Sequence, residues 1–434
     1  MAPLADTLVL GLGITGLSCV RFLRRQGLAV SVWDTRSSPP GAEQLAADYP
    51  EVQLRTGALD GALLSQANTL VVSPGIALAT PAVAQAIAAG VEAIGDIELF
   101  ARHVDAPVVA ITGSNGKSTV TTLVGEMAAA AGWSVGVGGN IGLPALDLLG
   151  QGHQLYVLEL SSFQLETTHS LNCVAATVLN LSADHLDRYD SFEHYRQAKL
   201  ALYQQSQRCI ENADDPLTAS GDSHAVRFGL GKPDSGHYGL DGEHLYCGQQ
   251  ARMPLAQLPL VGSHNYANAL AALALADCAQ IPAAASQQAL QQFQPLPHRC
   301  QLVARKQGVR FVNDSKATNV GATVAALQGL QAEQGNIYLI AGGDAKGADL
   351  AELQPLLQPL AAVYTLGKDG AAIAALVDNA NEVTSLEQAV QAAAAQAQPG
   401  DIVLLSPACA SLDMFRNFEQ RGQCFIAAVE ALPC

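Results

Sequence analysis

Positive charge is scarce in this chain: 23 lysines and arginines stand against 39 aspartates and glutamates, a net charge of −16. A nucleic-acid binder normally presents a basic face, so that class of partner is excluded. Anionic small ligands are not excluded, because local loops hold those. The nine cysteines include no C-x-x-C pair, which leaves no signal for a zinc site or a redox pair. Scattered single cysteines in a chain of this size are expected to be reduced, mostly buried thiols in a cytoplasmic protein. No run of about 18 apolar residues occurs, so no membrane span is expected. The N-terminus has no basic stretch and Thr7–Leu10 leads straight into glycines, so no secretion signal is read. Internal repeats and low-complexity tails are missing too. What remains is a globular chain of 434 residues, 49% hydrophobic, long enough for about three domains.

The stretch that organises the chain is Val108–Thr112 followed by Gly113-Ser114-Asn115-Gly116-Lys117-Ser118-Thr119. An apolar, β-branched run enters it. After it, Val120, Leu123, Val124, Met127 and Ala128 recur at helical spacing. Strand, glycine-rich loop and helix together make a phosphate-binding loop. The glycines let backbone N–H groups turn inward, Lys117 adds charge, the helix N-terminus adds its dipole, and Ser118 is a candidate Mg²⁺ ligand. Ile111 stands where the strict G-x-x-x-x-G-K-[ST] pattern has its first glycine, so this is a variant of it. Glu159, at the end of the apolar run Leu155–Leu158, is the carboxylate that Mg²⁺ needs beside such a loop.

Before this centre, Thr7–Leu10, the loop Gly11-Leu12-Gly13-Ile14-Thr15-Gly16, a helix through Leu17, Val20 and Leu23, and a strand over Ala29–Trp33 ending in Asp34-Thr35-Arg36 form a dinucleotide fingerprint. Taken alone it suggests an NAD-dependent oxidoreductase or merely a tight turn. A strand over Asn68–Val72 closes in Ser73-Pro74-Gly75, and Asp96–His103 reads as a connecting helix. Beyond the centre, a strand over Cys173–Leu181 leads to Asp184-His185. A helix over Phe192–Gln204 places Lys199 on a face with Phe192, Tyr195 and Leu202. Residues 210–260 have β character, with a hairpin turn at Asp241-Gly242. Asn265 and Asn268 then open an alanine-rich helix, and the Pro-bearing stretch Gln291–His298 marks a boundary. Strands near Arg310–Asn313, Ile337–Ala341, Val363–Leu366 and Ile402–Leu405 complete an α/β rhythm. Polar loops at Asp314–Asn319, Gly342–Gly347 and Ser406–Ser411 fall on one sheet edge, as a binding crevice requires.

The phosphate loop, Glu159, Asp184-His185, Gly262–Asn268, His298-Arg299, Asp314–Asn319 and the closing stretch Ser411–Gly422 together resemble the Mur ligases of peptidoglycan synthesis along the whole chain in order. The resemblance implies three α/β domains: a Rossmann-like UDP-binding domain over 1–94, a central P-loop-type ATPase domain over 95–297 and a Rossmann-like amino-acid-binding domain over 298–434. It is strongest to the members that add D-glutamate; the Asp-Asn-Pro-Arg motif of diaminopimelate-adding relatives is absent. The implied chemistry is ATP phosphorylation of the carboxylate of UDP-N-acetylmuramoyl-L-alanine, then attack by D-glutamate on the acyl phosphate. It would take place in the cytoplasm on a monomer.

The resemblance also implies residue roles. Gly113, Ser114, Asn115, Gly116, Lys117, Ser118, Thr119, Asn268, Arg299 and Asp314 would hold ATP. Ser118 and Glu159 would hold a first Mg²⁺, and His185 with Lys199 a second. Ile14, Thr15, Asp34, Thr35, Arg36 and Ser73 would hold the UDP end, and Asn140 would orient the substrate. Thr318, Lys346, Ser411 and Phe418 would bind D-glutamate. Lys117, His185 and Lys199 would carry the catalysis. At Lys199 the family places a carbamate, formed when CO₂ adds to an amine kept neutral by burial; a lysine that snorkels out or pairs with a carboxylate is the alternative. Two other classes stay open on the residues alone: the oxidoreductase, which leaves the phosphate loop unexplained, and a nucleotide-gated binding protein without turnover.

Overall fold

The computed structural model describes residues 5–260, 262–330 and 335–433. Three sheets divide the chain in sequence order. The first contains five parallel strands, in the order Gln53–Thr56, Val30–Asp34, Thr7–Leu10, Thr69–Val72, Glu92–Ile94. Its strand order reverses direction beside Thr7–Leu10, and at such a switch point the loops after adjacent strands part to leave a crevice. Those loops are Gly11–Gly16 and the one opening with Ser73.

The second sheet has nine strands, and its centre is Val108–Thr112, buried along its whole length. This strand lies parallel between Leu155–Glu159 and Ala175–Val178. A strand with neighbours on both sides and helices on both faces must be apolar throughout, and Val-Val-Ala-Ile is. The β-rich segment extends the same sheet and does not form a separate unit. Cys209–Asn212 adds parallel to Ala175–Val178, and the hairpin of Tyr238–Leu240 with His244–Cys247 lies farther out. Two expected elements are shorter than their apolar runs. The strand expected over Cys173–Leu181 runs only over Ala175–Val178, with an isolated bridge from Cys173 to Ser206 before it and the loop Leu179–Tyr189 leaving the sheet after it. The helix expected over Asp96–His103 ends at Ala101.

The third sheet orders six strands, with Ile402–Leu405 between Val309–Asn313 and Ile337–Gly342, all three parallel. The fold is thus α/β throughout, with one parallel-rich sheet per domain. The first two domains share a hydrophobic cluster: Val9, Val20 and Phe22 pack with Ile97, Phe100, Leu146 and Tyr156. An Arg21–Asp147 ion pair (2.7 Å) crosses the same seam. The eight described cysteines are free, but only four are buried, since Cys247, Cys278, Cys300 and Cys424 are half-exposed. Among the described residues no helix is long and apolar enough to cross a membrane.

Candidate functional site

Val108–Thr112 delivers its last residues into the phosphate loop, and the helix Lys117–Ala130 leaves from it. Gly116 sits at φ +83°, and a Cβ there would lie 2.4 Å from Asn268 Oδ1. The loop therefore needs glycine twice over, for its turn and for the close approach of the helix Ser263–Cys278. Lys117 donates to the carbonyls of Gly113 (2.9 Å) and Ser114 (3.0 Å). Burial depresses its pKa, with Arg299 and Lys346 adding to the effect against Glu159 and Asp184.

Arg299 comes from the last domain, yet its guanidinium donates to Ser118 Oγ at 2.8 Å. Glu159 is buried. Its Oε1 accepts from Asn140 Nδ2 (2.8 Å), and its Oε2 has no hydrogen-bond partner among the described residues. Burial pushes this carboxyl up, but Lys117, Ser118, Asn140 and Arg299 outweigh that and hold it below its usual range. A buried carboxylate oxygen left empty beside a serine hydroxyl and a phosphate loop fits Mg²⁺, a hard cation that takes oxygen ligands from one or two carboxylates and the substrate phosphates. Among the described residues no group of three His, Cys, Asp or Glu side chains could hold a metal by itself. A metal here would complete its shell with Ser118, phosphate oxygens or water.

Lys199 does not snorkel out. It is 2% exposed, donates to the Gly113 carbonyl (3.0 Å) and reaches Thr112 Oγ1 (3.5 Å), with its ammonium 4.8 Å from the Tyr195 ring centre. Tyr195 in turn bonds Ser114 Oγ at 2.9 Å. Burial drives the Lys199 pKa well below the ordinary lysine value, and Lys117 lowers it further. His185 adopts φ +55° with its ring edge against Phe163 (4.8 Å). Its pKa is pushed down to about 4, first by burial and then by the cations Lys346, Lys199 and Lys117 against Asp184, so the imidazole is neutral and able to ligate at pH 7. Asp184 faces the last domain and pairs with Lys346.

A cavity of about 530 Å³ opens beside the phosphate loop, between the central and last domains, lined by Asn115, Gly116, Thr119, Asn268, Arg299, Asp314 and Lys316. It is of a size for a nucleotide. Asp314 lies in its wall, but both carboxylate oxygens already accept protein donors, Ser406 Oγ (2.8 Å) and the Cys300 N–H (3.1 Å). Burial raises its pKa to about 6. Thr318, half-buried, and Ser411, buried, stand in the loops after their strands, and Phe418 opens the last helix with its ring 4.0 Å from the Lys316 ammonium. Arg421, inside the closing stretch Ser411–Gly422, ties those loops together: it donates to Ser315 Oγ (3.1 Å), the Ser315 carbonyl (2.9 Å) and the Cys409 carbonyl (3.0 Å). Lys316 and Asn319 fall in the polar crevice loop Asp314–Asn319 but carry no individual role in the sequence, and Asn180 is marked only by its folded contact with Asn115.

In the first domain, Ile14 is 80% exposed at the crevice, with Thr15 and Ser73 half-buried and Thr35 and Arg36 exposed. Asp34 points inward. Its oxygens accept from the Leu12 N–H (2.7 Å) and from the Arg36 N–H (2.8 Å), Nε (2.9 Å) and Nη2 (2.6 Å). The Arg36 pairing holds its pKa down to about 2. This acid organises its own loop and is not left open for a ribose hydroxyl, which removes the main support for the NAD reading.

A nucleotide loop roofed by a third domain, with a crevice on a first, is the arrangement of one class of ATP-using ligases. Residues 5–95 match the Mur ligase MurD-like N-terminal domain, 111–276 the Mur ligase middle domain and 298–409 the Mur ligase glutamate ligase domain. The chain belongs to the Mur ligase family. It is 55% identical to the UDP-N-acetylmuramoylalanine–D-glutamate ligase of Shewanella violacea, over 98% of this chain and 96% of that protein. It is 53% identical to the protein of that name from Shewanella oneidensis, over 98% of each. Among solved structures, MurF from Acinetobacter baumannii superposes with a TM-score of 0.63 at 18% identity, covering 97% of this chain and 90% of that one. MurF ligase from Thermotoga maritima in complex with ADP gives 0.60 at 16%, covering 99% and 96%. At such identities these structures speak for the fold.

Proposed function

We infer that this protein is an ATP-dependent ligase that joins D-glutamate to UDP-N-acetylmuramoyl-L-alanine in peptidoglycan synthesis. The observation that carries the reading is the convergence of Arg299 and Lys346, both from the glutamate-ligase domain, on the central domain's phosphate loop and Asp184. The alanine carboxylate takes the γ-phosphoryl group of ATP and ADP leaves. The amine of D-glutamate then adds to the acyl carbon, inorganic phosphate departs with the C–O bond, and the nitrogen loses its proton. Charge stabilisation is the main task in such transfers. Lys117, released from its own loop carbonyls, and Arg299 supply it, while domain closure keeps water from the acyl phosphate.

ATP would lie in the 530 Å³ cavity, on Gly113–Thr119, with Asn268, Arg299 and Asp314 around it. Ser118 and the empty Glu159 Oε2 would hold Mg²⁺, which shields phosphate charge. A second ion would use His185 and a carbamate on Lys199, formed as the neutral amine adds to CO₂ and releases a proton. Asn140 would orient the muramyl end, and Ile14, Thr15, Thr35, Arg36 and Ser73 would hold the UDP end on the loop that Asp34 shapes. Lys346, Thr318, Ser411 and Phe418 would take D-glutamate. A monomer working in the cytoplasm, where ATP and UDP-linked precursors are found, completes the proposal. Phosphate release measured across candidate amino acids tests it. Release that requires both UDP-N-acetylmuramoyl-L-alanine and D-glutamate is expected; release with another amino acid in preference, or with none, would overturn it.

A further inference from the structure

Asn319 stands at the meeting point of two domains and two substrate sites. It is 5% exposed, immediately before the helix Val320–Leu330 of the last domain. Its Oδ1 accepts from the Ala322 N–H (2.9 Å) and from Asn115 Nδ2 (3.2 Å). Its Nδ2 donates to Asn115 Oδ1 (3.2 Å) and to Asp184 Oδ2 (3.2 Å). The backbone donor on one side and the carboxylate on the other fix which end of the amide is oxygen. Asn115 belongs to the phosphate loop and is held there by Asn180, which accepts from its N–H at 2.8 Å. Asp184 is the carboxylate that holds Lys346. One side chain of the last domain therefore touches both the nucleotide loop and the counter-ion of the amino-acid lysine. The surfaces around it fit flush, since a Cβ on Gly321 would come within 2.8 Å of Ser182 Oγ.

We propose that Asn319 is a positioning residue, a latch that closes the last domain onto the central one and presets Lys346 for D-glutamate once the phosphate loop is in place. The proposal rests on the reading above for the identity of the amino acid. Two substitutions separate a latch from an ordinary helix cap. Asn319→Asp keeps the oxygen that caps Ala322, and aspartate caps as well as asparagine, but it sets a carboxylate against Asp184. Asn319→Ala removes cap and latch together. A latch predicts that Asn319→Asp keeps its fold, yet raises the KM for D-glutamate about tenfold or more, the size of a lost hydrogen bond to a charged group. The dissociation constant for ATP should move less than that KM, because Gly113–Thr119 and Asn268 keep their contacts in the central domain while only Arg299 and Asp314 draw away. Small-angle scattering, with a non-hydrolysable ATP analogue and UDP-N-acetylmuramoyl-L-alanine present, should show Asn319→Asp more extended than wild type. A silent Asn319→Asp, with KM and radius of gyration unchanged, would reduce Asn319 to a cap and overturn the proposal. So would losses in KM, ATP affinity and melting temperature that move together in both variants. Failure of wild type to use D-glutamate would count against the assigned activity, and the scattering comparison would still decide the latch.

Discussion

Arg299→Ala tests whether the last domain acts in phosphoryl transfer or merely covers the nucleotide. Arg299 reaches Ser118 across the domain boundary, with Glu159 and Asp314 as its nearest opposite charges. Burial lowers its pKa from the ordinary arginine value in spite of those carboxylates. Arg299 is thus a desolvated cation beside the phosphate loop, where the charge of a triphosphate would complement it. Removing the guanidinium should then leave stability within about 1 kcal/mol of wild type, because a poorly compensated charge is lost along with one hydrogen bond. Catalysis should suffer far more. One charge-assisted contact is worth about 1.5–3 kcal/mol, and loss of a donor aimed at developing charge costs about 10²–10³ in kcat. Arg299→Lys should fall between, since it keeps the charge without the planar fork. The assay is phosphate release under saturating D-glutamate and UDP-N-acetylmuramoyl-L-alanine with ATP varied, alongside thermal melts. A kcat for Arg299→Ala within a few-fold of wild type would refute the reasoning. So would a loss that tracks a large fall in melting temperature.

Lys199→Ala should lose most activity while keeping its fold, and millimolar acetate should restore part of it by replacing the carbamate; loss without any rescue would remove the carbamate from the account. Gly116→Ala should fold but bind ATP poorly, because its Cβ meets Asn268 Oδ1 at 2.4 Å and φ is +83°; wild-type affinity by calorimetry would contradict this. Asp96 lies at the join of the first two domains, with one oxygen accepting from Gln164 Nε2 (3.0 Å) and the other buried without a partner among the described residues. Burial raises its pKa from 3.8 to about 6, so its contribution to stability is full below pH 3.8 and is lost as pH rises through about 6. That shift amounts to about 3 kcal/mol at most, so Asp96→Asn should melt higher than wild type at pH 8, with the difference vanishing toward pH 4. A difference independent of pH would show that ionisation of Asp96 is not its source.

The elements around the site were largely legible, because strand, glycines and helix lie within one short stretch at 108–130 and the loop polarity of the last domain repeats after each apolar run. Side-chain direction was not legible. A carboxylate at a strand end looks the same in sequence whether it faces a ligand or its own loop; Glu159 leaves one oxygen empty, whereas Asp34 spends both on Leu12 and Arg36. The apolar run at Cys173–Leu181 overstated its strand, since hydrophobic residues that line a loop against the phosphate site carry the same pattern as residues in a sheet. Contacts across the domain boundary were invisible to local pattern. Ser118 with Arg299, Asp184 with Lys346 and Asn115 with Asn319 are each more than 160 positions apart.

Those long separations bear on how the protein comes into being. Chains emerge from the ribosome at about 5–20 residues per second and domains tend to fold as they appear. The phosphate loop and its helix can therefore form well before Arg299 and Asn319 exist, 181 and 204 positions downstream of their partners. During that interval of tens of seconds the loop is able to meet ATP, but the cation that would assist transfer has not been made. Lys117, meanwhile, is tied to the carbonyls of Gly113 and Ser114, all three of which are already in the nascent chain. The contact between Arg299 and Ser118 arrives only with the part of the polypeptide that also carries Lys346.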